Sequence, residues 1–521
     1  MPPRWSLALA LAGCAYLLAL QISIGYPYQY GGFFSDGVSY LYMADILSGG
    51  DSQTRPIALL HWRHAQFPPG YPAILALFGA GSDNPVRGLV LQAAIGVAVS
   101  LALVTWFRKL VGNLEVALLL SIPCLMMPWH FPWTFEIASE PLFLLLVLGL
   151  VLVAQSSLPD QRKLWLLALI CGLLCVVRNA GAPMALAIVT WATARRLGRL
   201  QIVAAFAASL APMLGWMAFK QTVQARASYA DALPLVLDSL LVEPAALAAS
   251  QAKAFLVGLS FNQQADRLGL ALALVLLALA LPSVLKRCRQ GELDAWFLAC
   301  YLPLALLWPY PAESSRLLGV AQPLLLVQAW ITLRAILARR DVLAPARTAA
   351  AICIGLTLVT PGGTSMLARA HHAAADPTLD AYRRTAGWFL SPAPDGFAES
   401  AHRLILLARE SQTLVPADAC VYTTMPSLVS LHSKRMTWMT PAEIVAADGT
   451  PTAIRCAYFL VTNLDSLQKN APPLHPLGSD GNQLRPIAVS QRSEHGQLVV
   501  EAALLQWAPA ITQPQIDAAN E

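Results

Sequence analysis

The chain has 521 residues, 56% of them hydrophobic and only 12% charged. A soluble domain carries about 25% charged residues, so a wholly soluble protein is excluded. The net charge of +5 is no nucleic-acid signal, because the basic residues sit in short turns between apolar runs, where positive-inside sorting puts them.

A spanning helix needs about 20 mostly apolar residues. Eleven runs meet or approach that length, which predicts an α-helical polytopic membrane protein. The first run, 5–24, could pass for a signal peptide, but no small-residue cleavage pattern follows at 25–32, and it reads as the first membrane helix. With the N-terminus inside, it leads to a long outer loop, 25–70, and a short interfacial stretch, 71–81. The remaining runs are 85–107, 113–129, 139–154, 164–177, 182–194, 200–219, 267–285, 294–310, 315–336 and 348–366. Every inner turn is then basic: Arg108 and Lys109, Arg162 and Lys163, Arg195 and Arg196, Lys286 and Arg287, Arg339 and Arg340. The runs 164–177 and 182–194 are short for full spans and are expected to tilt or reach only part way. The stretch 220–266 reads as an outer loop of moderate polarity.

From about 367 the polar residues, prolines and charges rise. Strand-like pieces at 420–424, 435–439, 456–462 and 497–504 alternate with helix-like pieces at 427–433, 441–447 and 464–469. The pattern predicts a C-terminal α/β domain, 367–521, following a membrane domain, 1–366, that includes the outer loop 25–81. The last membrane helix exits, so this domain lies outside, in the periplasm of a bacterium. Cys420 and Cys456 each open a predicted strand. An oxidising compartment permits a disulfide between them, and two buried thiols are the alternative.

Three groups of residues could carry chemistry. In the first outer loop Asp36, Tyr40, Met43 and Leu47 share a helical face, below which an interfacial pocket could lie; a solvated N-cap acid is the plain alternative. His61 and His64 follow in the same loop, without further metal ligands, so no metal site is assigned. At 129–143 Glu136 and Glu140 are four apart. Two like charges so placed would raise one pKa if desolvated; otherwise Glu140 only complements the helix dipole. Arg178 follows an apolar run and Arg316 opens another. Either guanidinium could hold a phosphate with paired donors. The alternatives are a buried pair with a loop acid for Arg178 and snorkelling to headgroups for Arg316. There is no phosphate-binding loop, dinucleotide fingerprint or nucleophile elbow.

The segments SDGVSYLYMA (35–44), FPPGYPAILALFG (67–79), SEPLFLLLVLGL (139–150) and SRLLGVAQPLLL (315–326) occur in this order. Together they resemble the GT-C superfamily of membrane glycosyltransferases, nearest the branch of aminoarabinose transferases and protein O-mannosyltransferases. VPADACVYTTMPSLVSLHSKR (415–435) is similar to the outer domain many members carry. The resemblance implies an inverting transfer of a sugar from a polyprenyl (undecaprenyl) phosphate donor to an extracytoplasmic glycan, lipid or protein. Asp36 would be the general base. Glu140, Glu136, Tyr40 and His64 would orient acceptor or sugar. Arg316 and Arg178 would bind the lipid phosphate. A divalent cation, Mg or Mn, is left open as a cofactor. The rival readings are a transporter or flippase, which would carry its ionisable groups near the bilayer midplane, and a non-catalytic envelope assembly protein.

Overall fold

The computed structural model describes residues 8, 11–13, 15, 35–49, 57–59, 62, 67–125, 137–222, 244–260, 267–308, 314–338, 345–359, 397–423, 426–439, 456–462, 483–494 and 497–508. The chain forms two compact units: Met1–Gly31 with Arg63–Ala374, and Gly32–Trp62 with Ala375–Glu521. In chain order the first helices are α1 (Ser35–Leu47), α2 (Gly70–Leu77), α3 (Pro85–Val111), α4 (Leu114–Leu125), α5 (Glu140–Ala154), α6 (Asp160–Val177) and α7 (Ala182–Ala194). Then come α8 (Arg199–Thr222), α9 (Pro244–Leu259), α10 (Arg267–Arg289), α11 (Leu293–Leu306), α12 (Ser314–Ala338) and α13 (Pro345–Val359). The second unit adds α14 (Phe397–Leu414), β1 (Cys420–Thr423), α15 (Pro426–Ser433), β2 (Met436–Met439), β3 (Tyr458–Thr462), β4 (Gln483–Glu494) and β5 (Gln497–Ala508).

The first unit, α2 to α13, is a helical membrane bundle. Among the described residues α3, α8, α10 and α12 are long and apolar enough to cross a bilayer, and α4, α5, α11 and α13 are shorter apolar helices. The expected first span, 5–24, lies almost wholly outside the described residues. Local signals set the ends. Pro85 stands in the first turn of α3, and Gly112, at φ 71°, closes it by donating its N–H to Arg108. The short pair expected after residue 163 is longer at its start: α6 begins at Asp160, so its 18 residues rise about 27 Å, close to the hydrocarbon thickness. The stretch expected to be an outer loop contains α9, whose Ala-rich, mildly polar sequence has too weak an apolar pattern to announce a helix.

A buried polar network ties three of these helices. Arg287 of α10 donates from Nε and Nη2 to Asp294 of α11 at 3.3 and 2.7 Å. Gln328 of α12 donates to the same carboxylate at 2.7 Å, and Ser283 donates to the Gln328 Oε1 at 2.6 Å. Asp294 is fully buried, so its charge depends on these donors. Asp294→Ala leaves Arg287 without its main counter-charge, and breaking such a pair costs about 3–5 kcal/mol. The expected outcome is a clear fall in the unfolding midpoint of the detergent-purified protein.

The second unit is built on a five-stranded sheet in the order β2-β1-β3-β5-β4. β2, β1 and β3 are parallel neighbours, and β5 pairs antiparallel with both β3 and β4. The parallel β1–β3 pairing brings the two strand-opening cysteines together. Cys420 and Cys456 form a disulfide with their Cα atoms 5.0 Å apart. It lies beside the buried pair Tyr422 and Phe459, whose ring centroids are 5.2 Å apart. α14 covers the sheet with Leu404, Ile405, Leu407 and Ala408. Its terminal carbonyls at Gln412 and Val415 accept hydrogen bonds from the Arg435 guanidinium. Neither α14 nor β4 is evident in the sequence; β4 is polar and holds Pro486. The expected helices at 441–447 and 464–469 lie outside the described residues.

Two sequence expectations change here. The first-loop segment Gly32–Trp62 groups with the C-terminal unit, because α1 packs against α15. Nor does α1 bury a single face: Val38 and Tyr40 to Ala44 are all buried, while Leu47 is exposed. Its middle, Gly37–Ala44, is buried on every side, although Asp36 and Asp45 place carboxylates near its two ends.

His432 of α15 is buried, and its carbonyl accepts from Gln412 Nε2 at 2.6 Å. Burial first, then the Arg409 and Lys434 charges, push the His432 imidazole down to about 3. An unfolded histidine titrates near 6.5. Between those values the unfolded chain takes up a proton that the folded unit refuses, so stability falls as pH drops from about 6.5 towards 3. Protease resistance of the second unit is expected to weaken over that window, and His432→Gln to flatten the dependence.

Candidate active site

Glu140, the first residue of α5, is 1% exposed. Its Oε1 atom receives two guanidiniums. Arg178 Nη1 lies 2.7 Å away. Arg316 approaches the same oxygen with Nη2 at 2.6 Å and Nε at 2.8 Å. Arg178 Nη1 also donates to the Ser139 hydroxyl at 2.8 Å. Ser139 is the N-cap of α5, but its side chain makes no cap hydrogen bond and serves Arg178 instead. One carboxylate oxygen thus faces two guanidiniums from separate helices. The arginine side chains are 19% and 22% exposed, whereas the carboxylate is sealed beneath them.

Local sequence explains the convergence. The run NAGAP after Arg178 cannot continue α6. Arg178 is extended (φ −151°, ψ 135°), a short 3-10 turn spans Asn179–Gly181, and Pro183 starts α7. Arg178 therefore stands at the break between two helices, at the far end of α6 from Arg162 and Lys163. Arg316 lies in the first turn of α12. That turn is held by Tyr301 of α11, whose buried hydroxyl donates to the Leu317 carbonyl at 3.1 Å. Tyr301 also packs on Phe143, one turn beyond Glu140, and on Phe297, with centroids 6.2 and 4.9 Å apart. These rings form an apolar floor beside the ions and keep the local dielectric low.

The Pro-Pro-Gly-Tyr-Pro segment braces the site from the side. A Cβ on Gly70 would lie 2.6 Å from the Val176 carbonyl oxygen and 3.0 Å from the Val177 nitrogen, so only glycine fits against the end of α6. The next residue, Tyr71, is buried and donates to Gln92 Oε1 of α3 at 2.6 Å. The strap is thus pinned to α3 on one side and to the backbone preceding Arg178 on the other. Gly70→Ala must move that backbone, since neither contact is a flexible side-chain end. Overpacking of this kind costs about 1–3 kcal/mol. The expected outcome is a lowered unfolding midpoint together with weakened binding of anionic lipid, read by calorimetry.

The structure brings together Glu140, Arg178 and Arg316. It places Asp36 in the first turn of α1, half-buried, and Tyr40 deep in the same helix, both in the second unit. Glu136 and His64 lie outside the described residues. Cys420 and Cys456 are joined to each other, away from any titrating role. The readings of Arg178 as partner of an acid and as phosphate ligand are compatible, because its guanidinium remains partly exposed while bound. Tyr301 and Gly70 are not evident as site residues in the sequence, and Ser139 reads there only as a helix start; the Gly70 among prolines is the one further local signal. Two guanidiniums on one oxygen make Glu140 a poor ligand for a divalent cation. Among the described residues no group of three or more His, Cys, Asp or Glu side chains could hold a metal ion.

No family model matches the chain, and no curated protein sequence matches it. Solved structures do resemble it at low identity. The oligosaccharyltransferase AglB from Archaeoglobus fulgidus, in complex with an inhibitory peptide and a dolichol-phosphate, aligns with 94% of this chain and 74% of its own, at 11% identity and a TM-score of 0.46. ArnT from Cupriavidus metallidurans bound to undecaprenyl phosphate aligns with 97% of this chain and 98% of its own, at 12% identity and a TM-score of 0.47. ArnT in the apo state gives 11% identity over 96% and 97%, with a TM-score of 0.48. Likeness at this level leaves the chemistry to the side chains.

Proposed function

We propose that this membrane protein is an inverting glycosyltransferase that moves a sugar from a polyprenyl phosphate to an acceptor outside the cytoplasm. The observation that carries the reading is the Arg178–Glu140–Arg316 cluster: two guanidiniums from separate helices, locked on one buried carboxylate and still reaching the surface. Arginine forks match phosphate geometry. Sited at helix ends, the pair suits a phosphate at headgroup height whose polyprenyl chain lies in the lipid.

In this reading Asp36 takes the proton of an acceptor hydroxyl as its oxygen bonds to the anomeric carbon. The bond from that carbon to the phosphate oxygen breaks, and the lipid phosphate leaves with its electron pair. Attack opposite the leaving group inverts the anomeric centre. Arg178 and Arg316 stabilise the charge that grows on the departing phosphate; such preorganised donors are worth about 3–4 kcal/mol each. Asp36, in the first turn of α1, is half-buried. The basic turns at the other ends of the helices favour a periplasmic position for the cluster, and the disulfide of the second unit favours an oxidising compartment such as the bacterial periplasm.

The test is mass analysis of envelope glycans and lipids from cells lacking the gene. One sugar modification is expected to disappear and to return with the wild-type gene. Asp36→Asn should restrict its return by about a hundredfold or more at equal expression, the scale of a lost general base. Arg316→Gln should act in the same direction. Full complementation by Asp36→Asn would refute the assigned base, and an unaltered envelope would refute sugar transfer.

A further inference from the structure

The arginine cluster has a second chemical side. Glu140 Oε1 is saturated by donors, while Oε2, equally buried, has no hydrogen-bond partner among the described residues. The same is true of Asn179 Oδ1, directly after Arg178, and of Ser314 Oγ, two residues before Arg316. Ser314 is 1% exposed. Each of the three strands that meet at the cluster therefore brings one buried acceptor with it. Burying an acceptor without a donor is costly, and natural folds keep such atoms few. The distribution contrasts with the Arg287–Asp294–Gln328 network, in which both carboxylate oxygens have donors.

A phosphate cannot satisfy Glu140 Oε2 or Asn179 Oδ1, because an ionised phosphate is itself an acceptor, whereas the Ser314 hydroxyl can both donate and accept. A metal ion is disfavoured by the two adjacent guanidiniums. What complements them is a group rich in O–H or N–H donors, attached next to an anion. We infer that Glu140 Oε2, Asn179 and Ser314 form the subsite that reads the hydroxyl or amino groups of the sugar carried on the phosphate, and so determine which sugar is accepted. This rests on the proposed glycosyltransferase reading and names specificity residues within it. Glu140 then serves both halves of one ligand: Oε1 fixes the arginines for the phosphate, and Oε2 accepts from the sugar. Sites that hydrogen-bond a substrate hydroxyl reject analogues lacking it strongly.

The full chain in detergent is titrated calorimetrically with decyl phosphate and with decyl-phosphate hexoses of gluco, manno, galacto and 4-amino configuration. At least one glycosylated probe is expected to bind about tenfold more tightly than decyl phosphate, the worth of one charge-assisted hydrogen bond. Ser314→Ala and Asn179→Ala should each weaken that probe about three- to tenfold, the scale of a neutral hydrogen bond, and leave decyl phosphate unchanged. Weakening of both ligands alike, or of neither, would overturn the subsite. Decyl phosphate binding with no preference for any hexose would also overturn it while sparing the phosphate site. Decyl phosphate that fails to bind, or binds Arg316→Gln as well as wild type, would remove the phosphate reading and the subsite with it.

Discussion

The bundle's functional end depends on one oxygen atom. Glu140 Oε1 holds arginines that come from α6 and α12, 138 residues apart in the chain by their numbers, 178 and 316. Helix dipoles divide the labour. A carboxylate in the first turn of α5 and a cation just past the end of α6 are both favoured by their helices. Arg316 is not: it sits in the first turn of α12, where the dipole repels a cation. Its position is therefore owed to Glu140 and to the Tyr301 hydroxyl that fixes the turn. Burying ions rarely adds net stability, since desolvation offsets the attraction. The arrangement is better understood as positioning, with folding energy from the surrounding apolar helices spent on holding two charges in a set geometry.

A second ionic cluster in the same bundle serves as the contrast. Gln328 lies twelve residues beyond Arg316 on α12, about 18 Å along the helix. There Arg287 pairs with Asp294 and, more loosely, with Glu292, and Gln328 and Ser283 complete the hydrogen bonding. It is a closed structural clamp. Around the Glu140 cluster three buried oxygens have no hydrogen-bond partner among the described residues, and its arginines reach the surface. One chain thus contains both a finished polar network and an unfinished one, and the difference separates scaffold from site.

Much of this was legible one residue at a time. Arg178 and Arg316 stand out because a charge beside an apolar run demands a partner, and Glu140 because Ser-Glu-Pro begins a helix. Their meeting was not legible, since it depends on how α5, α6 and α12 pack. The cysteine pair could be read because each opens a short apolar strand, and parallel neighbours put strand starts side by side. α9 escaped because alanine-rich, mildly polar helices look like loops in an apolar chain. β4 escaped because its partner β5 supplies the apolar residues. The grouping of α1 with the C-terminal unit is a tertiary fact that no local pattern encodes.

The shared carboxylate also constrains how this protein can evolve. Loss of Glu140 removes the carboxylate that both guanidiniums share, whereas loss of one arginine leaves Glu140 paired with the other. Descendants that keep either arginine should keep the carboxylate, so position 140 should vary least of the three even where the surrounding helices diverge freely.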